Sequence, residues 1–269
     1  MRLLICLAAC CLLSASSFAA EPLRILAWNI ESGGSNVRVI LQQLRELQKS
    51  ETFDVLALSE VSRKDDGYFV TFFDHTGITH GEKGGDDQLL IVWNLERLQA
   101  SQRTELLEFE GVELAPGGHR APLIIRLHDR ETSRDFLLMN NHLARAKNDL
   151  RTLQARTLVD WARQQSLPAI LFGDYNLDYD FKRDRGNPAL PAILADGIFK
   201  WIKPDPLTDS NWAGGPDGQD RYPDSLLDFV FASGPAKDWK ITVKVIVREG
   251  DFPDDDKTSD HRPVLVTIE

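Results

Sequence analysis

Beyond its first nineteen residues the chain has no cysteine, because Cys6, Cys10 and Cys11 all lie in the opening segment. No disulfide can staple the remainder, which must hold together by its core alone. Long apolar runs are missing too. The stretch Leu3 to Leu13 falls short of the roughly 20 residues that a membrane-spanning helix needs, and it ends in serines. There is no Pro/Ser/Gly-rich linker and no internal repeat, so the chain reads as one domain. The sequence also lacks a Gly-x-Ser-x-Gly elbow, a Walker loop and a dinucleotide fingerprint, the usual signals of serine hydrolases, P-loop enzymes and Rossmann oxidoreductases. Basic residues are scarce relative to acidic ones, 31 against 41, for a net charge of −10. That sign argues against a domain that grips nucleic acid through its surface field, yet it allows a phosphate substrate where a bound cation carries the attraction.

The opening segment has the layout of a secretory signal peptide. Arg2 supplies the positive charge, Leu3 to Leu13 the apolar region, and Ser17-Phe18-Ala19 the small-x-small pattern that predicts cleavage before Ala20. Leu7-Ala8-Ala9-Cys10 is similar to a lipoprotein box but stands too close to Met1. The expected division is therefore residues 1–19 as leader and residues 20–269 as a single exported domain, periplasmic or extracellular.

Nine segments predict strands: Arg24 to Trp28, Val55 to Leu58, Leu89 to Trp93, Leu123 to Leu127, Phe136 to Met139, Ala169 to Phe172, Leu227 to Phe231, Ile241 to Val247 and Val264 to Ile268. Two segments predict amphipathic helices. Ser35 or Asn36 caps the first, whose apolar face is Val39, Ile40, Leu44 and Leu47; Asn148 or Asp149 caps the second, with Leu150, Leu153, Leu158, Val159 and Trp161. Many strands with few helices point to a layered two-sheet α/β fold rather than a doubly wound parallel sheet. Asp178 to Ser225 has little periodicity; it reads as a functional loop bordering the site, with a short helix over Pro191 to Trp201. Asp254-Asp255-Asp256 reads as a solvated loop.

Polar residues recur at or just past the apolar runs. In Phe172-Gly173-Asp174-Tyr175-Asn176 the glycine allows a sharp turn, so that Asp174 and Asn176 aim a carboxylate and an amide into one pocket; the alternative is a turn bonded to its own backbone. In Ser259-Asp260-His261-Arg262-Pro263 adjacent side chains on extended backbone point apart. His261 therefore pairs with a carboxylate from elsewhere, and Asp228 is the candidate. Glu60 and Asn29 end two strands and offer the hard oxygen ligands that Mg²⁺ or Mn²⁺ takes, though either alone is more often a strand-end cap. His142 is a phosphate donor or a satisfied core histidine. His75 and His80 beside Asp74 have a spacing compatible with zinc, but no cysteine joins them and nothing orders their loop.

Together, Gly173-Asp174-x-Asn176 and the terminal Ser259-Asp260-His261-Arg262-Pro263 resemble the endonuclease/exonuclease/phosphatase superfamily, over about Leu23 to Glu269. The resemblance implies an α/β four-layer sandwich, two mixed β-sheets packed face to face with helices outside and one active site at the sheet ends. It implies that Asn29, Glu60 and Asp260 bind the divalent cation, Mg²⁺ or Mn²⁺, and that His261 paired with Asp228 is the catalytic histidine. Asp174 and Asn176 match the residues that position water and phosphate, His142 a phosphate-contacting histidine, and Arg120 a phosphate-contacting arginine. Ser59 stands where the family often has glutamine, and Glu31 where some branches place a further ligand. The Asn140-x-His142 form is similar to the deoxyribonuclease and phosphatase branches, which argues against abasic-site repair.

The expectation is thus a metal-dependent phosphoesterase, foremost a nuclease cleaving phosphodiesters by in-line attack of water, with Asp174 or the Asp228–His261 pair as general base. The resemblance implies no stable protein partner, and a monomer is expected. Two alternatives stand beside it. One is a phosphatase or sphingomyelinase-like phospholipase using Trp201 and Trp212 against a membrane; the other is an inactive binding protein that keeps the fold.

Overall fold

Apolar runs, some continuous and some alternating, set out the strands of the computed structural model, which describes residues 20–31, 35–211, 225–248 and 258–269. The expected leader with its cysteines, Trp212 and the Asp254 to Asp256 loop lie outside those residues. In chain order the strands are β1 (Leu23–Asn29), β2 (Val55–Val61), β3 (Thr76–His80), β4 (Gln88–Asn94), β5 (Leu98–Glu105), β6 (Glu108–Phe109), β7 (Val112–Glu113), β8 (Leu123–Asp129), β9 (Arg134–His142), β10 (Ala169–Tyr179), β11 (Phe199–Trp201), β12 (Leu226–Ser233), β13 (Ile241–Val245) and β14 (Val264–Ile268). The helices are α1 (Val37–Ser50), α2 (Asn148–Arg163) and the short α3 (Ala189–Ile193).

One six-stranded sheet runs β13-β14-β1-β2-β4-β3 and the other β11-β12-β10-β9-β8-β5. Each is mixed: β1 runs parallel to β2, and β9 parallel to β10, while their other neighbours are antiparallel. The inner faces meet in one large core, where Ile25, Val55, Ile91 and Val266 join Ile125, Leu138, Phe172 and Val230. Because side chains alternate along a strand, Leu26, Trp28, Leu56, Leu58 and Val92 face outward. They are covered by Ile40, Leu44 and Leu47 of α1, whose spacing puts all three on one helix face. Leu158, Val159 and Ala162 of α2 and Ile193 of α3 pack with the second sheet. Each fully buried side chain of this kind contributes about 1.5–3 kcal/mol of hydrophobic stabilisation. The result is the expected four-layer α/β sandwich.

All nine expected strands form, and the differences lie at the margins. The strand expected over Ile241 to Val247 ends at Val245. Sheet-edge strands β3 and β5 were not expected: β3 holds Gly77, where any Cβ would strike the Trp93 indole, and β5 is polar apart from Leu98 and Ala100. An edge strand needs only ladder hydrogen bonds on one side, so composition conceals it. The helix expected over Pro191 to Trp201 is instead α3, a kinked turn with Asp196 at φ 57°, and β11. At α1 the Asn36 side chain accepts from the Arg38 backbone N–H at 3.0 Å, a true cap. At α2 the cap position falls on Lys147 and has no side-chain bond.

Two local features bring the strand ends together. Asn140 of β9 donates across the sandwich to the carbonyls of Leu58 (2.7 Å) and Leu90 (3.3 Å), fixing one sheet against the other. Gly173 takes φ +122°, and a Cβ there would lie 2.1 Å from the Asn141 carbonyl of β9. Both the dihedral and the space require glycine. Gly173→Ala should therefore destabilise the protein by more than about 3 kcal/mol, read as a lower urea midpoint; a midpoint equal to that of the unsubstituted protein would contradict this packing.

Candidate active site

Every residue that the family resemblance assigned to the site converges at one end of the sandwich. The aspartate of Gly173-Asp174 lies in β10 in register with Asp228 of β12 on one side and His142 of β9 on the other. Asn29 ends β1 and Glu60 lies near the end of β2, in the facing sheet. Ser259 fixes the approach to β14: its hydroxyl donates to the Asn29 carbonyl (2.5 Å) and accepts from the His261 backbone N–H (2.9 Å). The Trp28 indole N–H holds the His261 carbonyl at 2.8 Å.

Backbone irregularities aim the side chains. Glu60 sits at φ 58° where the β2–β4 register shifts, and Asn176 sits at φ 52° where the β10–β12 register shifts. Such bulges turn a side chain away from the alternation of the strand, and left-handed φ at residues other than glycine is a cost that the surroundings must hold in place.

Asp228 Oδ2 meets His261 Nδ1 at 2.7 Å, the expected pairing, and His261 Nε2 then stands 3.7 Å from Asp174 Oδ2 and 3.8 Å from Asp260 Oδ1. Asp174 Oδ2 is 3.4 Å from His142 Nε2, which lies 3.7 Å from Glu60 Oε1. Arg120 Nη2 reaches His142 Nε2 at 3.1 Å and Glu60 at 3.7 Å. The Asn176 backbone N–H donates to Asp174 Oδ1 at 2.9 Å.

Polar contacts engage the expected cation ligands Asn29, Glu60 and Asp260. Asn29 directs its NH₂ at Glu60 Oε1 (3.0 Å) and Asp174 Oδ2 (3.2 Å), while its oxygen accepts the Glu31 N–H (3.1 Å). Turned this way, each amide atom faces a complementary partner, and Asn29 steadies two carboxylates. Among the described residues the one group of three whose donor atoms lie within 4.8 Å of one another is Glu60, His142 and Asp174. Asp260 stands outside it beside His261, its backbone N–H donating to Glu31 Oε2 at 3.2 Å. His75 and His80 form no such group; they face Glu96, Asp66 and Glu82 at the surface.

Several contributors carried no sequence signal. Asp87 holds Arg120 Nη2 at 2.5 Å, and Ser210 donates to Asp228 Oδ2 at 2.7 Å while accepting the backbone N–H groups of Leu227 and Asp228, each at 3.0 Å. Arg145 donates to Asn176 Oδ1 at 2.9 Å. Each comes from a loop or strand end where no apolar periodicity marks the position.

The electrostatics favour a bound cation. Burial, reinforced by Asp228 and Glu60 and opposed by His261, pushes the Asp174 carboxyl up to about 7. Burial and Glu60, opposed by Arg120, push Asp87 up to about 6. For His261 burial works against the imidazolium, but Asp228, Asp174 and Asp260 outweigh it and hold the ring well above its ordinary value. His142 moves the opposite way, held well below by burial, Arg120 and His261. A carboxyl raised first by burial and further by neighbouring carboxylates fits a divalent ion such as Mg²⁺ or Mn²⁺, whose charge offsets both.

The raised Asp174 carboxyl gives a signed expectation. The folded chain binds the Asp174 proton more tightly than the unfolded chain, whose value is near 3.8. Metal-free stability therefore falls as pH rises from about 4 through 7. Asp174→Asn in EDTA should gain little at pH 4 and on the order of 2–4 kcal/mol at pH 8 by urea titration; equal effects at both pH values would contradict the cause given.

The sequence profile described as the Endonuclease/Exonuclease/phosphatase family matches residues 26–261. No curated protein matches the chain by sequence. Among solved structures, an endonuclease/exonuclease/phosphatase family protein from Bacteroides thetaiotaomicron aligns with TM-score 0.69 and 14% identity, covering 93% of this chain and 98% of that one. A mannosyl-6-phosphatase from the same organism gives TM-score 0.67 and 16% identity, over 92% and 99%. D. rerio TDP2 complexed with single strand DNA product gives 0.68 and 17%, again over 92% and 99%. At these identities the structural likeness speaks to the fold, while the profile spans nearly the whole sandwich. The chain belongs to the endonuclease/exonuclease/phosphatase family of divalent-metal-dependent phosphoesterases.

Proposed function

We propose that the protein is an exported phosphodiester hydrolase that uses Mg²⁺ or Mn²⁺ and cleaves nucleic acid. One observation carries the reading. His261 Nε2, with its other nitrogen committed to Asp228, faces Asp174 across 3.7 Å, and His142, Arg120 and Glu60 line the adjoining space. The space beside this pair suits a water within reach of both groups and a phosphoryl oxygen. A divalent ion, when bound, supplies Lewis-acid stabilisation of charge on the phosphoryl oxygens.

Glu60, both an expected ligand and a member of the group whose donor atoms lie close enough to share an ion, would hold that ion, and Asn29 orients Glu60. Asp174 receives the proton of the attacking water, its carboxylate balanced by the neighbouring His261 ring, which Asp228 and Ser210 keep in place. His142, Arg120 and the Asn176 amide hold the phosphate oxygens, with Asp87 fixing Arg120. Export rests on the leader-like features of residues 1–19.

Support for nucleic acid over lipid comes from Trp201. Its ring centroid lies 4.8 Å from Tyr179 and 5.0 Å from Phe229, with the Lys203 ammonium over the ring at 4.7 Å. A ring so packed is not presented to a membrane. The single strand DNA product bound by D. rerio TDP2 also favours nucleic acid.

The purified protein should cleave plasmid DNA or RNA together with bis-p-nitrophenyl phosphate, lose this activity in EDTA and recover it with Mg²⁺ or Mn²⁺. His261→Ala and Asp174→Ala should each lose at least about 10³-fold in kcat while unfolding cooperatively. Turnover only on p-nitrophenyl phosphate, inositol phosphates or sphingomyelin would replace the nuclease reading, and silence on all substrates would leave a binding protein.

A further inference from the structure

Beside the constellation lies an open cavity of about 740 Å³, lined in part by Arg145, Tyr179, Phe181, Lys182, Arg183 and Arg185. It shares walls with the site. Arg145 lines the cavity while its guanidinium donates to Asn176 Oδ1. Ser225, also on the wall, pairs through its backbone with Asn211, which pairs in turn with His261.

The wall combines a ring with uncommitted positive charge. Phe181 is half-buried, its centroid 5.8 Å from that of Tyr179. Lys182 and Arg185 are exposed, and neither side chain pairs with a carboxylate among the described residues. The nearby acids are already engaged. Asp180 Oδ1 accepts the backbone N–H groups of Lys182 (2.8 Å) and Arg183 (3.1 Å), and Asp178 accepts from Arg145 (3.2 Å) and Asn187 (2.9 Å). In a chain of net charge −10, three basic residues within the four positions Lys182 to Arg185 stand against the general balance.

We propose that this cavity takes the nucleotide flanking the scissile phosphate of a single-stranded nucleic acid, Phe181 stacking on its base and Lys182 and Arg185 meeting its next phosphate. A ring beside cations matches the two chemistries of a nucleotide, and such stacking tolerates any base. The assignment rests on the nuclease reading above.

The test compares eight-nucleotide single strands of DNA and RNA with bis-p-nitrophenyl phosphate, which is too small to fill the cavity. Phe181→Ala and the double variant Lys182→Ala/Arg185→Ala should each lower kcat/KM on the oligonucleotide about tenfold, mainly through KM, and leave bis-p-nitrophenyl phosphate within about twofold. The double variant should also flatten the dependence of KM on salt. Oligonucleotide cleavage unchanged in both variants would overturn the cavity assignment and leave the nuclease reading standing. Equal losses on both substrates would show an effect through the fold or the reacting centre, and would also overturn it. Wild-type protein that hydrolyses bis-p-nitrophenyl phosphate and no oligonucleotide would remove the nuclease reading, and the cavity assignment with it.

Discussion

The buried bond between His261 and Asp228 is the contact on which the site depends. His261 leads into β14 of one sheet and Asp228 belongs to β12 of the other, so their 2.7 Å contact joins the two halves of the sandwich through opposite charges. A charge taken out of water is tolerable only when paired and hydrogen-bonded. Ser210 on Asp228, Ser259 beneath the His261 backbone and Trp28 on its carbonyl supply the remaining bonds. Once the imidazole is placed, its free nitrogen points at Asp174, and the positions of His142 and Glu60 follow from strand register.

The core sets what the site is allowed to be. Both faces of the central strands are buried, which leaves polar groups only at the strand ends, where the ladders stop. Gly173 lets β9 and β10 approach closely, and Asn140 ties that pair to β2 and β4. The same packing that stabilises the fold therefore squeezes several carboxylates together. Burial, with their mutual repulsion, makes a divalent ion part of the electrostatic balance as well as of the proposed chemistry.

Much of this was legible in the residues. Continuous apolar runs gave the inner strands, and the polar residue ending each run gave Asn29, Glu60, His142, Asp174 and Asp228. The argument that neighbouring side chains diverge separated His261 from Asp260 and paired it with Asp228. Edge strands β3 and β5 escaped because they bury little, and α3 with β11 because a left-handed kink at Asp196 interrupts any period. Asp87, Ser210 and Arg145 escaped for a different reason: their importance lies in what they touch, and tertiary contact leaves no trace in local spacing. The orientation of Asn29 was hidden likewise, since an amide shows neither which end faces a carboxylate nor that Glu31 claims its oxygen.

Glu60 and Asn176 hold left-handed backbone angles that glycine would adopt without strain. A laboratory selection that rewarded heat tolerance alone would drift toward glycine at these two positions. Its fittest survivors would keep every strand of the sandwich and lose two side chains on which the proposed chemistry relies, so robustness and turnover would pull this scaffold in opposite directions.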